Sequence, residues 1–280
     1  MKTWLISGAS SGLGRLMTER LLARGDRVVA TVRREGALDD LRREYVDRLV
    51  VASFDLTDTV GMRAAMDGAF RRMGRIDVVV SNAGYGLFGA AEELSDAQIE
   101  HQIATNLTGS IQLIRAALPQ LRRQGGGRIV QVSSEGGQIA YPSFSVYHAT
   151  KWGVEGFIES VAQEVAPFGI DFVIAEPGPT STQFGTNMVR ATPLDVYRDT
   201  PAGEVRRAIG GGSFAIKGHA EHTVNAIIAA ADEASPALRL TLGSTAYNSI
   251  SNALVRRLAA IKAQREVAFS ADRDDSPLNR

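Results

Sequence analysis

Short runs rich in β-branched and aliphatic residues recur along the chain, and each gives way to a longer stretch whose apolar positions return every three or four residues. That alternation predicts a parallel sheet whose strands are joined by crossover helices. The runs predict strands at Thr3–Ser7, Arg27–Val32, Leu49–Phe54, Asp77–Ser81, Arg128–Ser133, Ile170–Ala175 and Leu238–Leu242. They need not alternate polar with apolar, because helices would cover both faces of the sheet. Helical spacing predicts Gly12–Ala23, Leu38–Tyr45, Val60–Met73, Asp96–Gln124, Val146–Val165, Ala220–Ala231 and a last helix over Tyr247–Phe269. Ser95 followed by Gln98 opens the longest of these with a capping box, and Gly125-Gly126-Gly127 ends it.

Between Gly178 and Gly218 the rhythm fails. Proline, glycine and scattered apolar residues such as Phe184, Met188 and Phe214 predict a mobile cover over a binding cleft. From Ser270 to Arg280 charged residues and Pro277 predict a frayed tail. The expectation is a single α/β domain over residues 1–269, with residues 178–218 as its substrate lid.

Charge and composition narrow the partners. The 280 residues carry 31 basic and 31 acidic side chains, so the whole-molecule field gives no reason to expect nucleic acid or an anionic membrane. With no cysteine there is no disulfide, thiolate metal site or cysteine nucleophile. The apolar start, Trp4-Leu5-Ile6, stops at Ser7-Gly8, too short for a signal peptide. No stretch approaches the roughly 20 apolar residues of a membrane helix. A soluble, cytoplasmic protein acting on a small molecule is expected.

Gly8-Ala9-Ser10-Ser11-Gly12-Leu13-Gly14 lies between the first strand and the first helix, where a backbone can turn sharply and a helix N-terminus can face a pyrophosphate. The second strand ends at Val32-Arg33-Arg34, which offers two guanidinium groups and no carboxylate for a ribose 2′-hydroxyl. That chemistry favours NADP(H) over NAD(H). Asp55, after the third strand, can accept from an adenine amino group or simply cap the next helix. Tyr147 and Lys151 stand four apart at the start of a predicted helix, on one face. A free phenol titrates near 10, so a tyrosine acid/base needs help, and a neighbouring ammonium can supply it. Ser134, at the end of the fifth strand, can donate to a substrate oxygen, while Ser133 should point to the opposite face. His219 and His222 lack further ligands for a metal.

Taken in order, Gly8-x3-Gly12-x-Gly14, Asp55, Asn82-Ala83-Gly84, Asn106, Ser134, Tyr147-x3-Lys151 and Pro177-Gly178 with Thr182 resemble the short-chain dehydrogenase/reductase family. Ser7 stands where the family usually has threonine. The resemblance implies a Rossmann-type, doubly wound sheet of seven parallel strands in the order 3-2-1-4-5-6-7. It implies that Tyr147, Lys151, Ser134 and Asn106 are catalytic, with Asn106 steadying a water that links Lys151 to solvent. By the same likeness the cofactor lies on Gly8, Ser10, Ser11, Gly12, Leu13, Gly14, Arg33, Asp55, Leu56, Asn82, Ala83, Gly84, Tyr147, Lys151, Pro177, Gly178, Thr180 and Thr182. The segment Asn82 to Gly89 looks more like the 17β-hydroxysteroid and retinol dehydrogenase branch, which implies an apolar pocket. A dimer or tetramer is implied too. The expected function is NADP(H)-linked interconversion of a carbonyl and an alcohol. Two alternatives stand beside it: a ketoreductase of carrier-bound 3-oxoacyl groups, docked through Arg190, Arg198, Arg206 and Arg207, and a non-catalytic NADP(H) sensor.

Overall fold

The computed structural model describes residues 1–272. Seven strands form the central sheet: β1 (Thr3–Ile6), β2 (Arg27–Val32), β3 (Leu49–Ser53), β4 (Val78–Ser81), β5 (Gly127–Val132), β6 (Ile170–Pro177) and β7 (Arg239–Leu242). All neighbours pair in parallel, and the order across the sheet is 3-2-1-4-5-6-7. The chain builds outward from β1 to β3 and then returns to build from β4 to β7. The strand order therefore reverses between β1 and β4, and the loops leaving their carboxyl ends part to form a crevice.

Successive residues on a strand face opposite sides, so each strand feeds two cores. Trp4, Ile6, Val28 and Ala30 pack with Met17 and Leu21 of α1 (Gly12–Ala23), Leu41 of α2 (Asp39–Glu44) and Ile227 of α8 (Ala220–Asp232). On the other face, Leu5, Val29, Val79 and Ile129 pack with Met66 of α3 (Thr59–Met73), Leu113 of α5 (Ser110–Arg123) and Ile158 of α6 (Ser145–Val165). Both faces are covered, which is why the strands read as unbroken apolar runs.

Three expectations need correction. The helix expected over Asp96–Gln124 is interrupted: α4 spans Asp96–Ile103, a π turn occupies Ala104–Gly109, and α5 follows. Leu56 crowds this turn; a side chain at Gly109 would meet Leu56 Cβ at 2.9 Å. Wide turns of this kind occur mostly as bulges in longer helices, often at functional sites. The last helix is two, α9 (Ser244–Ala263) and α10 (Arg265–Ser270). The tail expected from Ser270 begins inside α10, and its remainder, 273–280, lies outside the described residues.

Segment 178–218 is more ordered than a bare loop. Thr180–Ser181 pairs with Gly218–His219, Val189–Arg190 pairs with Leu87–Phe88, and α7 covers Pro201–Gly210. Two-residue strands leave no periodic trace in a sequence, which is why the pattern failed there.

Candidate active site

A cleft of about 770 Å³ opens where the strand order reverses, and segment 178–218 covers part of it through Phe184, Met188, Phe214 and Ile216. At one end the glycine loop meets α1. Ser11 is extended, its side chain makes no capping bond, and the first turn of α1 carries no acidic residue, so the helix presents free N–H groups and its positive end. Gly8 and Gly12 hold φ of +68° and +56°, the left-handed region that favours glycine. A side chain at Gly8 would also strike Ala83 Cα at 2.7 Å. Ser7 ties this loop to β4: its hydroxyl accepts from Asn82 N at 2.9 Å and Ala83 N at 3.1 Å, while Asn82 Nδ2 donates to Ser7 O at 2.9 Å.

Gly8, Ser10, Ser11, Gly12, Leu13, Arg33, Asp55, Leu56, Asn82, Ala83 and Gly84 all line the cleft, as do Pro177, Gly178, Thr180 and Thr182. Gly14 does not. It sits behind the loop, where a side chain would meet Asn82 Nδ2 and Gly8 O, both at 2.4 Å, so its glycine serves packing of helix on strand. Asp55 spends one carboxylate oxygen on the turn that leads into α3, accepting from Thr57 N at 2.8 Å and Thr57 Oγ1 at 2.7 Å. The helix cap itself is Asp58, which accepts from Gly61 N. A phosphate-sized anion fits the α1 end, with the Arg33 side of the cleft beyond it, so the chain can hold a nicotinamide dinucleotide.

At the other end stand Ser134, Tyr147 and Lys151. Tyr147 and Lys151 come from the first two turns of α6, and both are buried. The Lys151 Nζ donates to Val132 O at 3.0 Å and lies 5.6 Å from the centroid of the Tyr147 ring. Two of its three N–H bonds remain for a ligand. Ser134 Oγ accepts from Gly136 N at 3.1 Å, which turns the hydroxyl so that its own proton is free to donate. Ser133 points away and donates to Glu155 Oε1 at 2.5 Å.

The electrostatics correct one expectation. Burial pushes the Tyr147 phenol up to about 12, against a downward pull from Ser134 and with Glu135 and Glu155 adding to the rise. Burial also brings Lys151 down to about 8. An ammonium that is itself desolvated does not outweigh the loss of water around the phenol. In the protein alone Tyr147 is therefore a protonated donor at neutral pH.

Asn106 is likewise placed otherwise than expected. It lies in the π turn, outside the cleft lining, and its amide clamps the backbone of one residue: Tyr85 N donates to Oδ1 at 3.1 Å and Nδ2 donates to Tyr85 O at 2.8 Å. With both ends of the amide engaged, this side chain holds the loop after β4, and no hydrogen bond joins it to Lys151 among the described residues. Sequence reasoning missed Tyr141 and Phe144, which pack around Tyr147 together with Phe184 of the cover. It also missed Glu135, and the Tyr85 hydroxyl that meets His101 Nδ1 at 2.8 Å. A carboxylate directly after Ser134 was the one signal available.

The four arginines weighed as a docking patch are engaged elsewhere. Arg206 pairs with the buried Glu93, Arg198 with Asp195, Arg207 reaches Arg198 O, and Arg190 lies over the Phe88 ring.

Known proteins share this architecture. The short chain dehydrogenase family model matches residues 2–192. Oxidoreductase BOA17 of Botryotinia fuckeliana is 35% identical over 274 residues, which span 96% of this chain and 99% of that protein. A short-chain dehydrogenase from Streptomyces avermitilis superposes with a TM-score of 0.89 at 37% identity, covering 97% of this chain and 98% of its own. Another from Burkholderia cenocepacia, solved in complex with NADP, gives 0.72 at 25% identity over 94% of this chain and 98% of its own.

Proposed function

The chain belongs to the short-chain dehydrogenase family, an oxidoreductase acting on CH–OH groups with NAD(P), and from that premise we propose that it reduces a carbonyl on a medium-sized, largely apolar substrate, preferring NADPH. The observation that carries this reading is the convergence of two hydroxyl donors, Ser134 and Tyr147, with Lys151 in one cleft under aromatic walls. The bound nicotinamide supplies the hydride. Tyr147, kept protonated by burial, donates its proton to the carbonyl oxygen, and Ser134 donates a hydrogen bond to the same oxygen. Lys151, held by Val132 O, keeps two N–H bonds for the ribose hydroxyls and the phenol oxygen. Asn106 acts at one remove by fixing the Tyr85 peptide beside the cofactor loop.

NADPH is favoured because Arg33 lines the cleft at the end of β2, where no carboxylate competes for a 2′-phosphate. The apolar class of substrate follows from Tyr141, Phe144, Phe184, Met188, Phe214 and Ile216. Of the arginines that would dock an acyl carrier, Arg206 is committed to the buried Glu93.

The test is Tyr147→Phe, assayed with a panel of ketones and with both NADPH and NADH. Turnover should fall about 10²- to 10⁴-fold, the usual contribution of a positioned proton donor, while cofactor binding persists. Unchanged reduction in this variant would sink the mechanism.

A further inference from the structure

Among the described residues Glu135 is the one carboxyl lining the substrate half of the cleft, and beyond its part in raising the Tyr147 phenol no role has fallen to it. It follows Ser134 directly, at the start of the single helical turn Glu135–Gly137, and is only 4% exposed. Its Oε2 accepts from Ser249 Oγ of α9 at 2.7 Å, which fixes the side chain's direction. The other oxygen, Oε1, has no partner among the described residues, and it is not one of the sealed-off polar atoms. The residue is part of the cleft lining. No cation is paired with it among the described residues, and burial pushes its carboxyl up from the usual range.

A polar group held in this way carries a cost when it has no partner and repays it when a ligand supplies one. Its surroundings say which ligand. The walls nearby are aromatic, with Tyr141 and Phe144 around Tyr147, so the body of the ligand is apolar. The one unpaired oxygen can accept a hydrogen bond, and a hydroxyl on an apolar frame supplies it without a charge that must be stripped of water. Resting on the proposed carbonyl reduction, we infer that Glu135 is a specificity-determining residue that accepts a hydrogen bond from a hydroxyl group on the substrate, distinct from the reacting oxygen. The preferred substrates are hydroxy ketones with an apolar frame. Ser249 is the positioning residue that holds the carboxyl in place.

The experiment uses matched pairs of cyclic and polycyclic ketones, each with and without one added hydroxyl or one added amine, and NADPH. The full-length protein should prefer at least one hydroxylated member by about tenfold or more in kcat/KM, the usual scale for one hydrogen bond to a buried polar group. Glu135→Leu should erase that preference, so that the two members of each pair are turned over with similar kcat/KM. Glu135→Gln, which keeps an acceptor oxygen, should retain most of it. The same pairs are measured by calorimetry against NADP-loaded Tyr147→Phe, so that failure of the proton-donor reading appears as unaltered turnover with the hydroxyl preference in binding intact. The inference is overturned if Glu135→Leu lowers both members of a pair equally, if amines are preferred to hydroxyls, or if no hydroxyl preference appears in binding.

Discussion

At position 148 a histidine follows Tyr147 and is only 3% exposed, with neither ring nitrogen reaching a partner among the described residues. Its ring stands edge-on against Tyr141, the centroids 4.5 Å apart and the planes at 80°. Burial brings the imidazole down to about 4. The unfolded chain titrates near 6.5, so between these values the unfolded state holds the extra proton. Stability from neutral His148 is fully present above about 6.5 and is lost as the pH falls through 4. The shift corresponds to about 3 kcal/mol. Comparing urea unfolding at pH 7 and pH 4.5, His148→Leu should lose about 2 to 3 kcal/mol less than the parent over that interval. An equal loss in both proteins would assign the acid sensitivity to the carboxylates. Packing by residues from other parts of the chain strips its nitrogens of water.

Among the elements, the cover is the part whose organisation depends most on a single side chain. Glu93 has a fully buried carboxylate that accepts from Ala90 N at 2.7 Å, from Leu194 N at 2.9 Å, and from Arg206 of α7. Burial alone would raise its pKa, and these three donors together hold it below the usual range. Segment 178–218 is thus fastened to the loop after β4, and close packing helps: a side chain at Gly86 would meet Phe184 Cζ at 2.9 Å. Glu93→Gln replaces one acceptor oxygen by a donor facing donors. KM for the carbonyl substrate should rise about tenfold while NADPH affinity stays the same, and limited proteolysis should cut 178–218 faster. A parallel loss of cofactor binding would mean that the bond serves the whole cleft.

Across the whole molecule, the edge of the sheet is tied to the interior by Arg239 of β7. It pairs with Glu155 of α6 at 2.5 Å, with Glu159 at 2.8 Å, and with Glu176 of β6, and Glu155 and Glu176 are buried. Glu176 also takes Gln138 Nε2 and Thr241 Oγ1, and Glu155 takes Ser133, next to Ser134. Removing one partner of such a network leaves uncompensated buried charge, which costs about 3 to 5 kcal/mol. Arg239→Met should therefore destabilise the protein by that amount in chemical denaturation. A change under about 1 kcal/mol, typical of an exposed pair, would show the network to be replaceable.

The parallel sheet, its flanking helices and the place of the glycine loop were determined by the sequence itself, because strand and helix periods and turn chemistry are local properties. So was the pairing of Tyr147 with Lys151, which four-residue spacing on one helix guarantees. The tertiary structure alone decided the rest of the site. Ser134 faces the cleft and Ser133 faces Glu155; Asn106 spends its amide on Tyr85; Glu135 is aimed by Ser249, 114 positions further on. The phenol's direction of shift belongs there as well, since desolvation is a sum over neighbours from every part of the chain. Spacing could bring Tyr147 and Lys151 together, but only the surrounding fold determined that burial, more than the ammonium, governs the proton Tyr147 carries.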